Sequence, residues 1–169
     1  MTRMQRRTMR MQTLWISIVG VLAVTIYAAL AAVQILVLNP LAAAPGRSLD
    51  EIHAEMSNAG ESLMPGQAFF ILGVGIALAV ALAVVAVCTA AHPLIPAMGF
   101  LVLLMLGAGG YFIASFGAGM GLADAFGIGG GDYSPWARPL YAVSALSAVA
   151  LVVVGVMAAV RPRSAPATA

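Results

Sequence analysis

An all-α integral membrane protein, an antiparallel bundle of four transmembrane helices with a short amphipathic helix in the first extracytoplasmic loop, is the fold class this chain predicts. Three observations carry that expectation. Of 169 residues, 62% are hydrophobic and 8% charged, whereas a soluble domain is about one quarter charged. The apolar residues form four uncharged blocks, each longer than the about 20 residues that cross hydrocarbon. Charged and turn-forming residues collect between these blocks and at the two ends.

Residues 1–12 form a basic segment with Arg3, Arg6, Arg7 and Arg10 and no acid. The first span is expected over residues 13–38. Ala42-Ala43-Ala44 resembles a signal-peptidase site, but the 26 residues from Thr13 to Leu38 exceed the core of a cleaved signal, about 7–15 residues. A retained anchor is therefore expected.

Residues 39–66 read as an extracytoplasmic loop. Asn39-Pro40 predicts a helix end, because proline disfavours helical geometry in the residue before it, and Pro45-Gly46 predicts a turn. Ser48 and Glu51 have the spacing of a capping box, so a short helix is expected over about 49–58, ending near Gly60. Leu49, Ile52 and Met56 share one face of it, and Glu51 and Glu55 another.

The second span, residues 67–91, carries two stripes of small residues: Gly73, Ala77 and Ala81 on one face, and Gly75, Ala79 and Ala83 on the other. Small residues every four positions let helix backbones approach closely in lipid. A cytoplasmic turn at 92–96 (His92 to Pro96) is too short to cross anything, so the third span, 97–118, returns antiparallel. Gly107 and Gly110 there, with Ser144 and Ala148 in the fourth span, complete the residues expected to pack helices together. Residues 119–139 read as a glycine-rich loop: seven glycines lie between Gly117 and Gly131. Tyr133, Trp136 and Tyr141 are expected to anchor its return at the headgroup boundary. The fourth span covers 140–160, and 161–169 form a cytoplasmic tail with Arg161 and Arg163.

Arginine counts set the orientation. Four precede the first span and two follow the fourth, against Arg47 and Arg138 in the intervening segments, so both termini are expected in the cytoplasm. All six acids, Asp50, Glu51, Glu55, Glu61, Asp124 and Asp132, then fall outside. The expected location is the inner membrane of a bacterium, since the exclusive use of arginine and the Ala, Gly and Val excess fit a GC-rich coding bias.

The chemistry-bearing residues are few. A net charge of +2, split between the ends, gives no footprint for nucleic acid. A single cysteine, Cys88, excludes an internal disulfide and a thiolate zinc cluster. His53 and His92 fall on opposite faces, so they cannot share a metal or haem. Asp50, His53 and Glu61 are the one trio with ligand chemistry, against the plainer reading of a solvated helix face. The glycine-rich loop lacks the lysine and hydroxyl of a phosphate loop. Tyr27, Gln34, Thr89, Tyr111, Ser115, Ser144 and Ser147 are the polar side chains within the blocks, and none is ionised at neutral pH. No catalytic residue and no cofactor is expected. These features predict a non-enzymatic accessory subunit that sits in the lipid bilayer and packs against a membrane-protein partner or itself. The rival expectation is an oligomeric transporter or channel component lined by Tyr111 and Ser115.

Overall fold

The structure, a computed structural model, describes residues 3–160. Among these residues it is all helix, with no strand. Arg161 and Arg163, which contribute to the orientation reading, lie outside the described residues. Four helical stretches are long and apolar enough to cross a membrane: Arg7–Ala43, Pro65–Cys88, Leu94–Phe126 and Ala137–Met157.

The first of these departs from expectation. Helix α1 (Arg3–Val33) runs into a π-helical turn (Gln34–Leu38) and on into α2 (Asn39–Ala43), so the chain stays helical past Asn39-Pro40. Asn39 itself holds φ −69° and ψ −46° and donates its N–H to Gln34 O. That i to i−5 bond widens the turn just ahead of Pro40. A proline in a regular helix clashes with the carbonyl four residues back, and a π turn moves that carbonyl aside. The helix ends instead at Ala44, which leaves helical geometry at φ −122° and ψ 72°.

Helix α3 (Leu49–Asn58) starts on a complete capping box: Ser48 Oγ accepts from Glu51 N, and Glu51 Oε2 accepts from Ser48 N at 2.7 Å. Its apolar face turns inward, with Ile52 and Met56 fully buried. Helix α4 (Pro65–Cys88) follows. Helix α5 (Leu94–Phe126) is far longer than the expected 97–118 and takes Gly117, Gly119 and Gly121 into its last turns. Two of these glycines pack closely against the segment before α4, and at Gly121 the neighbour is backbone. A Cβ on Gly117 would sit 2.6 Å from Met64 Sδ, and one on Gly121 2.9 Å from the Ser62 carbonyl oxygen. Gly127, at φ +62°, ends the helix in the left-handed geometry glycine tolerates. Helix α6 (Ala137–Val160) completes the chain.

Helix α1 packs on α4 and α5, α4 packs on α5, and α5 packs on α6. Thr13 donates its hydroxyl to the Ala91 carbonyl at 2.9 Å, tying the start of the first apolar block to the end of α4. A larger core joins Tyr27, Ala31, Ile35, Ile52, Met56, Tyr111, Leu122 and Leu140. A smaller one, around Val24, Ala79 and Phe100, lies nearer the Thr13 end. In an apolar 18-residue stretch of each span only 28% of the first and 17% of each of the others is buried. Their apolar side chains therefore cover the outside of the molecule, where a soluble bundle would place charge.

The small residues divide sharply. Ala79 is fully buried against α1 and α5, and Gly107 packs under Tyr27, where a Cβ would meet the ring at 2.7 Å. Gly73, Ala77 and Ala81 instead face outward, and nothing in the chain lies within 4 Å of a Cβ on Gly73. Gly75 and Gly110 border an apolar crevice of about 240 Å³ between α1, α4 and α5. Thus Gly73, Gly75, Ala77 and Gly110 do not make the close helix contacts within this chain that their spacing suggests. The tightest approach is one that spacing does not flag: Gly20 lies under the Phe100 ring, 2.3 Å from where its Cβ would be.

Candidate binding cavity

The end of the molecule that holds α3 also gathers three buried polar residues, Gln34, Asn39 and Ser134. Asn39, which follows the π turn and directly precedes Pro40, reaches the loop before α6. Its Nδ2 donates to Gly131 O at 3.2 Å, while its Oδ1 accepts from Tyr133 N at 2.7 Å and Ser134 N at 3.3 Å. Three backbone groups of an otherwise irregular loop are thereby satisfied by one side chain.

That anchorage fixes Asp132. Tyr111 of α5 donates its hydroxyl to Asp132 Oδ1, and Tyr141 of α6 donates to Oδ2 at 2.9 Å. The two rings meet edge to face, with centroids 5.6 Å apart at 81°. A carboxylate offers about four lone-pair sites, so two phenols leave acceptor capacity on both oxygens. Among the described residues the one ion pair is Arg47–Glu55, at 3.2 Å. Asp132 is exposed, so its carboxylate is held by these two hydrogen bonds and by solvent.

Beside these groups opens a cavity of about 290 Å³. Asp132, Tyr141, Asn39 and Ser115 make its polar side, and Phe112, Phe116 and Met120 of α5 make its apolar side. The Ser115 hydroxyl donates to the Phe112 carbonyl at 3.2 Å, which leaves its lone pairs towards other donors. Gly119, Gly130 and Gly131 close the wall.

Deeper in the bundle a second polar knot joins three helices. Ser144 of α6 sits across one rung of α5, accepting from Ala108 N at 3.0 Å and donating to Leu104 O at 2.8 Å. Since its proton is committed to Leu104, the Tyr27 hydroxyl, 3.3 Å away, is the donor to Ser144. Gln34, at the first position of the π turn, is fully buried, and its amide lies against the Tyr111 hydroxyl without closing a hydrogen bond of good geometry. π turns concentrate at functional positions.

The residues singled out in the sequence are spread differently. Asp50, His53 and Glu61 do not form a ligand set, because among the described residues no three His, Cys, Asp or Glu groups converge. Arg47 instead pairs with Glu55 and lies 5.2 Å above the Phe126 ring. His92 accepts from Leu94 N at 3.3 Å in the turn before α5, and Cys88 is exposed. Trp136 and Tyr133 are exposed beside the loop, and the Tyr133 hydroxyl donates to Gly129 O at 2.7 Å. Tyr141, expected only as an anchor, is a partner of Asp132. Ala148 is half-buried on α6. The Asp132 pairings leave no mark in the sequence, since the two tyrosines lie 21 residues before and 9 after it.

No family model matches this chain, and neither a curated protein nor a solved structure is significantly similar to it.

Proposed function

We propose that this chain is a multi-pass protein of a cell membrane, the bacterial inner membrane, crossing it in four antiparallel spans with both termini in the cytoplasm. In that setting it acts as a non-enzymatic accessory subunit that packs against a membrane-protein partner or a second copy. One observation carries the reading: the Gly73, Ala77 and Ala81 face of α4 is open, whereas the neighbouring Ala79 face is consumed inside the bundle. A small-residue face without an internal partner is suited to a backbone-to-backbone contact in lipid. Inside the chain the spans are already joined by polar contacts, from Tyr27 to Ser144 and from Ser144 to Leu104 O and Ala108 N.

The test is association in the membrane. Crosslinking before mild extraction should trap the chain with a partner, and Ala77→Leu should abolish the product while leaving the monomer folded. An unchanged product, or a monomer under both conditions, contradicts the proposal. The cavity beside Asp132 favours a second reading, a transporter or channel component in which Ser115 lines a path. Solute flux through liposomes holding the purified chain separates the two.

A further inference from the structure

We propose that the cavity beside Asp132 is a lipid site, which takes the primary ammonium headgroup of an aminophospholipid. The inference rests on the reading of the chain as a membrane protein, and it names a ligand that reading does not. Three features converge on it. Asp132 is an exposed carboxylate, positioned by two phenols and without an ion-pair partner among the described residues, and both its oxygens retain lone pairs after binding Tyr111 and Tyr141. An ammonium group supplies both the missing charge and three N–H donors, which the hydroxyl oxygens of Tyr141 and Ser115 can also accept. A trimethylammonium group has the charge without the donors.

The shape of the cavity selects an amphiphile over a free amine. Its volume, about 290 Å³, is just under the range of drug-sized pockets, about 300–1,000 Å³, and so suits a headgroup. Phe112, Phe116 and Met120 carry its apolar wall onto the outside of α5, where all three are exposed. A headgroup on Asp132 would therefore lead its glycerol and acyl chains out along that wall. The loop is already braced by Asn39, so the carboxylate is positioned before any ligand arrives.

Native mass spectrometry of the full chain in maltoside detergent, with phosphatidylethanolamine and phosphatidylcholine offered in equal amounts, tests the site. The wild type should retain the ethanolamine lipid at least about tenfold better, the scale of a hydrogen bond to a charged group. Asp132→Asn removes the charge and should erase that preference. Gly119→Leu offers an independent check, because it lines the cavity and a Cβ there meets nothing within 4 Å. It should fill the cavity, leave the tyrosine pairings intact and lower retention of the ethanolamine lipid to the same level. Equal retention of the two lipids by the wild type overturns the site, as does a preference that survives both substitutions. A chain that stays monodisperse without any detergent would instead overturn the membrane reading itself.

Discussion

Asn39 satisfies three backbone groups of the loop that carries Asp132. Asn39→Ala should therefore cost about 1–3 kcal/mol, the penalty for stranding partly buried donors and acceptors, read as a lower melting temperature in detergent. Asn39→Asp keeps the acceptor for Tyr133 and Ser134 and should cost less. An equal loss in both variants would show that the donation to Gly131 O, which both remove, carries the effect and the two accepted bonds do not. None of this is legible in the sequence, where Asn39-Pro40 reads as a helix stop and the loop lies more than ninety residues away. Glu51 is the opposite case, since its role depends on neighbours three and four residues off. The Ser48 backbone N–H, then the Ser48 hydroxyl, hold its carboxyl below the usual range; slight desolvation opposes this and Arg47 adds to it. With the folded pKa below the unfolded one, this cap contributes fully above the ordinary glutamate range. The contribution fades as pH falls through the lowered value. NMR shifts of the first turn of α3 should thus report fraying on acidification, and Glu51→Gln should remove the carboxylate's share of that pH dependence. An unaltered titration in the variant would contradict the assignment.

Among the elements, the π turn is what allows the first helix to pass Pro40 and deliver Asn39 to the loop. Deleting Val37 removes the extra residue and forces Pro40 into a regular α turn, where its ring and missing N–H cost about 3 kcal/mol. The same deletion combined with Pro40→Ala should recover most of that stability. If the deletion alone melts like the wild type, the turn has another cause. Packing makes a second contrast. Gly20→Ala must displace the Phe100 ring and should destabilise by about 1–3 kcal/mol. Gly73→Ala meets nothing in the chain and should be neutral or, through helix propensity, slightly stabilising; equal effects at both sites would contradict this division. Hydropathy revealed the helices, and the capping box marked α3. Spacing showed that α4 has two small faces without showing which one the bundle uses. The glycines at 117, 119 and 121 mislead for a physical reason: glycine marks both flexible chain and close contact, and only the neighbouring Met64 and Ser62 decide between them.

For the molecule as a whole, four apolar helices with their large side chains turned outward are compatible with a multi-pass membrane protein. The proposed orientation places α3, the braced loop and Asp132 outside the cell, with the turn at His92 in the cytoplasm. It rests on the arginine counts of the segments that flank the four apolar blocks. Site-directed labelling in intact cells with a membrane-impermeant maleimide tests it most directly, in a background where the exposed Cys88 is replaced by alanine. Ala54→Cys, on the exposed face of α3, should be labelled in intact cells, and His92→Cys only after the membrane is opened. The reverse pattern, or labelling of both in intact cells, would contradict the account.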